Sequence, residues 1–107
     1  MTAADTLNKA VKRFLEARGY ENIQSVDLSP INYLAQDEEE TILVCAEIVD
    51  EDFNEANLDR KEAERALFKA AKKGLIDINV RIRFDIISVA LINESNALIR
   101  HHIDCLN

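Results

Sequence analysis

The stretch Thr41–Val49 (TILVCAEIV) constrains the fold more than any other part of this chain. Alternate residues of a strand face opposite ways, and here both sets are apolar apart from Glu47. Such a strand cannot lie at a surface. It belongs in the middle of a sheet that is covered on both faces, and helices are the usual cover. Two segments have the spacing for that task. Leu7, Ala10, Val11, Phe14 and Leu15 form one apolar stripe over a helix from Thr2 to Arg18. Ala63, Ala66, Leu67 and Ala70 form another over Asp59–Lys73, and its small side chains predict close packing. Thr2 with Asp5, and Asp59 with Glu62, have capping spacing, and Gly19 and Gly74 are suitable stops.

The remaining segments read as strands. Ile23–Leu28 and Ile31–Ala35 flank Ser29-Pro30, which is a break or a bulge on an edge strand. Gln36–Glu40 is an acidic hairpin tip. Val80–Ile92 is a long strand with Val80, Ile82, Phe84 and Ile86 on one face and Arg81, Arg83 and Asp85 on the other. Asn93–Asn96 turns the chain into a last strand, Ala97–Ile103. The order α-β-β-β-α-β-β gives an α/β class, a mixed sheet flanked by helices. The 107 residues are enough for a single domain, 1–107, with one core.

With 13 basic against 20 acidic residues the net charge is −7, which disfavours anionic membranes as partners. It lowers the expectation of nucleic-acid binding without excluding it, because charges can segregate. Arg65, Lys69, Lys72 and Lys73 do gather on the second helix. They are the phosphate-binding candidates, set against the plain reading of cations on a solvated face near a helix C-terminus. Arg81, Arg83 and Asp85 read as a salt-bridged structural cluster. Asp37, Glu38, Glu39 and Glu40 are contiguous rather than alternating, which suits a solvated turn and not a calcium loop.

Cys45 lies inside the apolar run and is expected to be a buried thiol. His101 and His102 are neighbours on a strand and face opposite ways, which is poor geometry for one metal ion. No basic stretch before an apolar segment opens the sequence, and no apolar run approaches membrane-spanning length. These readings set the expectation of a cytoplasmic protein with reduced thiols and no membrane partner.

Four strings, in order, resemble the YraN-like family. They are AVKRFLEARGY (10–20), SPINYLAQDEEETILVCAEIV (29–49), VRIRFDIISV (80–89) and ALIRHHIDCL (97–106). The resemblance implies a restriction-endonuclease-like fold and a metal-dependent nuclease site. Such a site needs carboxylates around a divalent ion and a lysine to offset developing charge. Position by position, the family's first-helix Glu falls at Asn8, its Gly-Glu pair at Ser29-Pro30, and its metal-binding Asp at Asn32. Its second metal-binding Glu is retained as Glu47, and its Lys falls at Val49.

One carboxylate thus survives and the lysine does not, while Asp50, Glu51 and Asp52 add negative charge beside Glu47. The resemblance then implies a catalytically inactive copy that binds nucleic acid or a protein partner, without a metal or other cofactor. Two further readings stand beside it. One is a divergent Mg²⁺-dependent endonuclease that recruits Asp27, Asp50 or Glu16 to Glu47. The other is a structural domain that forms homodimers.

Overall fold

The computed structural model describes residues 3–50, 58–93 and 96–106. Its elements are α1 (Ala3–Ala17), β1 (Glu21–Leu28), β2 (Ile31–Asp37), β3 (Glu40–Ile48), α2 (Arg60–Lys72), β4 (Arg81–Leu91) and β5 (Ala97–His102). The expected α-β-β-β-α-β-β order is the observed one. The Thr2 cap, the acidic residues Glu51 and Asp52, and the middle of the Asn93–Asn96 turn lie outside the described residues.

The five strands form one sheet in sequence order, so β3 is its middle strand. Neighbours are antiparallel except β3 and β4, which run parallel from Glu40↔Arg81 to Ile48↔Val89. A parallel pair needs a long crossover, and α2 lies in the chain between these two strands. β1 and β5 are the edges.

The alternation along β3 builds two cores. Ile42, Val44 and Ala46 join Val11 and Leu15 of α1, with Tyr20, Tyr33, Ala35, Ile87 and Val89. Leu43 joins Ala66 and Ala70 of α2, with Leu28, Ile31 and Leu34, and Cys45, Leu67 and Phe84 pack against them. Each helix therefore covers one face of the sheet. Ala63, Ala66 and Ala70 of α2 are buried, as close packing on the sheet requires.

Helix α2 begins where its sequence predicts, with the Asp59 carboxylate accepting from the Glu62 amide at 3.1 Å. Both helices stop on a left-handed glycine. Gly19 has φ +86° and Gly74 φ +73°. After Gly19 the chain doubles back, the Tyr20 amide donating to Leu15 O at 3.0 Å. That turn aims the Tyr20 ring into the α1 core.

Several boundaries differ from expectation. Ser29-Pro30 is the turn of a tight hairpin, with Leu28 facing Ile31, and its peptide bond is cis. The acidic tip is shorter than Gln36–Glu40, because β2 and β3 pair as far as Asp37↔Glu40. Only Glu38 and Glu39 remain at the turn, and Asp37 and Glu40 fold back toward Arg83. Cys45 is half-buried rather than buried.

Candidate functional site

The metal-site expectation rests on Asn8, Asn32, Glu47 and Val49, and each occupies a different environment. Asn8, on α1, accepts at Oδ1 from the Tyr33 hydroxyl and from Ser25 Oγ at 3.4 Å. It ties α1 to the first two strands on the α1 face. Asn32 lies just beyond the last β2–β3 backbone pair, Tyr33↔Val44. Its amide completes the ladder there: Nδ2 donates to Ala46 O at 2.7 Å and Oδ1 accepts from Ala46 N at 2.8 Å.

Glu47 follows Leu43 and Cys45 in the alternation, so it is on the α2 face, half-buried and beside Ser88 in register. Val49 continues the ladder through its amide, which donates to Val89 O at 2.9 Å. Asn8 and Glu47 are thus on opposite faces of the sheet, with Asn32 turned into its plane.

The carboxylates that a divergent nuclease would recruit are placed no better. Glu16 is exposed on α1, across the sheet from Glu47, and Asp27 is exposed on the β1 edge. Asp50 is exposed just past β3. Among the described residues no three His, Cys, Asp or Glu side chains come together to hold a metal ion.

Ser88, between Glu47 and Arg100 in the strand register, is fully buried with its Oγ lacking a hydrogen-bond partner. An unmade hydrogen bond on a buried hydroxyl costs about 1–3 kcal/mol. Ser88→Ala should therefore raise stability by roughly 1 kcal/mol in urea titration, since the small void it leaves offsets part of the gain.

The densest polar constellation is on the α1 face. Arg83 grips Asp85 with two nitrogens, Nε to Oδ1 at 3.0 Å and Nη2 to Oδ2 at 3.1 Å. Asp85 is 0% exposed and also accepts from the Asp104 amide at 3.0 Å and from His101 Nε2 at 2.8 Å. Because the carboxylate accepts, His101 carries its proton on Nε2. The Tyr20 hydroxyl accepts from Arg83 Nη2 at 2.5 Å. The edge-on Phe14 and His101 rings, centroids 5.3 Å apart, seal the cluster against α1.

Burial alone would raise the pKa of Asp85, but the donated bonds from His101, Arg83 and the Asp104 amide outweigh it and hold it below its ordinary value. The sequence reading of a structural salt-bridge cluster holds for Arg83 and Asp85, which are buried; Arg81 is exposed and pairs with Glu40 at 3.5 Å. Tyr20 and His101 are the members that reading missed.

Cys45 and Cys105 are both free thiols. Burial, reinforced by the charges of Glu47 and Cys105, pushes the Cys45 thiol up to about 11. Burial raises Cys105 as well, and its Sγ donates to Phe84 O at 3.2 Å. Thiolates are the reactive form. Folded protein should thus react with an alkylating reagent at pH 8 far more slowly than urea-unfolded protein, as mass spectrometry of timed samples would show.

On the solvent face of α2, cations gather beside an exposed aromatic ring. Lys61, Arg65, Lys69 and Lys72 are exposed and recur at three- and four-residue spacing, on the side away from Ala63, Ala66 and Ala70. Phe68 stands among them, 65% exposed, with Lys72 Nζ 5.7 Å from its ring centre. Glu64 borders the row. Three of the four phosphate-binding candidates, Arg65, Lys69 and Lys72, belong to this row; Lys73 is the C-cap residue at its end. Lys61 and Phe68 were not singled out from sequence, although both fall on the helical arc opposite the alanines.

A cleft of about 870 Å³ lies at the far end of β3 from Glu47, between the acidic hairpin and the Gly74–Arg81 segment. It brings none of the four metal-site positions together. No described helix is long and apolar enough to cross a membrane. Compared with known proteins, the sequence matched no family model and no curated protein.

Proposed function

We propose that this protein binds nucleic acid through the solvent face of α2 and does not cut it. The observation that carries the reading is charge segregation. A chain of net charge −7 displays Lys61, Arg65, Lys69 and Lys72 together on one helix face, around an exposed aromatic ring. Basic side chains along one face are the electrostatic footprint of phosphate recognition. Binding releases counterions from the phosphates, and that release drives association.

The absence of cutting is argued from the resemblance to the YraN-like family together with the geometry of its site positions. Asn32 spends both ends of its amide on the Ala46 backbone. Val49 supplies no ammonium group to stabilise developing charge, and Asn8 is engaged with Tyr33 and Ser25. Glu47 is the one carboxylate retained at the family's site positions, and among the described residues no three His, Cys, Asp or Glu side chains gather to hold a metal ion. The fold is read as a nuclease scaffold whose catalytic positions have been turned to structural use.

The test is fluorescence anisotropy of a labelled oligonucleotide across salt concentrations. Log affinity should fall against log salt with a slope of about −3, as four phosphate contacts on a single strand imply. Replacing Arg65 and Lys69 by glutamine should reduce that slope by about 1.4 and weaken binding roughly tenfold. Affinity that ignores salt, or that survives the double substitution, would overturn the proposal.

A further inference from the structure

We infer that the α2 face selects unpaired strands, with Phe68 as the platform on which an exposed base stacks. The inference rests on the nucleic-acid reading above and adds the class of strand. Phe68 is 65% exposed, and the other exposed large hydrophobic side chains among the described residues are all aliphatic. Its ring borders the cationic row, with Arg65 on one side, Glu64 on the other and Lys72 beside one face. At a helical rise of 1.5 Å per residue, Lys61 to Lys72 spans roughly 16 Å, enough to track a few successive phosphates.

This is the combination by which single strands are held: cations follow the backbone while aromatic rings stack bases of any sequence. A duplex keeps its bases paired and stacked on one another, so the ring would find only sugar and phosphate there. An anionic membrane would use several apolar side chains along the helix to enter the headgroup layer. Here Phe68 stands alone among Lys61, Glu64, Arg65 and Lys69, which favours a base over a lipid.

Stacking on a single aromatic ring is sequence-tolerant and strong enough to matter. The full chain should therefore bind oligothymidylate and oligouridylate more tightly than a duplex of equal length at the same salt, and the tighter of the two names the natural strand. Phe68→Ala should weaken single-strand binding about tenfold and duplex binding less than twofold. Phe68→Trp should restore the affinity, and the fluorescence of the tryptophan should be quenched on binding. The substituted side chain is exposed, and circular dichroism checks that both variants keep the fold.

Equal loss on both strand types, or tighter duplex binding, would overturn the stacking role while leaving the phosphate contacts standing. Absence of salt-dependent binding to any oligonucleotide would overturn both proposals. Vesicles containing anionic lipid provide the remaining arm. Vesicle binding that depends on Phe68, with oligonucleotide binding that does not, would assign the face to membranes instead.

Discussion

Asp85→Asn is expected to destabilise the fold by about 3 kcal/mol, the low end of the range for breaking a buried ion pair. The substitution leaves the shape of the side chain intact and removes its charge. Arg83, only 8% exposed, then faces a neutral amide whose NH₂ group, itself a donor, cannot accept from the nitrogens that Asp85 accepts from. Asp37 and Glu40, at 3.6 and 3.8 Å from Arg83 Nη1, retain part of the compensation, which is why the low end applies. For a protein of this size the loss should lower the melting temperature by roughly 15 °C. Converting both members to apolar residues of similar volume, Arg83→Met with Asp85→Leu, should recover most of the stability, because no charge is then left buried alone. Urea denaturation of the three proteins measures the difference. A double variant less stable than Asp85→Asn would show that the network contributes more than mutual neutralisation.

The same carboxylate sets an acid limit. Its folded pKa is held below the ordinary value of 3.8, so the unfolded chain takes up the proton first as pH falls. The sign is therefore that of a depressed acid: its stabilisation is fully present above about pH 4 and is lost as pH drops through the folded value. Stability measured between pH 6 and pH 3 should fall more steeply in the native sequence than in Asp85→Asn, which has no such proton to bind.

Asn32→Asp is expected to destabilise by about 2 kcal/mol and to confer no nuclease activity. The aspartate can still accept from the Ala46 amide. It can no longer donate to Ala46 O, and it sets a negative oxygen against that carbonyl, where the donor now sits at 2.7 Å. Losing a bond of this kind and leaving its partner unsatisfied lies in the range of about 1–3 kcal/mol. Asn32→Ala should cost a similar amount by removing both bonds. A neutral Asn32→Asp, or one that cleaves DNA with Mn²⁺ once Val49→Lys is added, would mean that the position has kept its metal geometry.

The fold was legible where local pattern and tertiary demand agree. The two-faced apolar run of β3 located the middle of the sheet, and the alanine stripe of α2 fixed which side of that helix is buried. Asp59 and Gly74 marked its two ends. Strand ends were less legible, because pairing depends on the partner: Gln36 and Asp37 look like loop residues until Thr41 and Glu40 face them across the hairpin.

The buried network was half legible. Arg83 and Asp85 are two residues apart on one strand, but Tyr20 is 63 residues from Arg83 and His101 is 16 from Asp85. No local spacing announces either contact. Asn32 was singled out for its place in the family pattern, yet its actual role depends on where the β2–β3 ladder runs out, and only the register reveals that. Phe68 reads in sequence as one more apolar residue of an amphipathic helix. Its exposure follows from the angle it makes with the alanines once they are seated on the sheet.

Binding and cleavage can be read in one sample. End-labelled single-stranded and branched DNA, incubated with the protein and Mn²⁺, are resolved on a native gel and then on a denaturing gel. A mobility shift of the single strand is expected, weakened by Arg65→Gln with Lys69→Gln, and the DNA should remain intact throughout. Cleavage products that vanish in Glu47→Ala would contradict this, because they would show that Glu47 still works within a metal site.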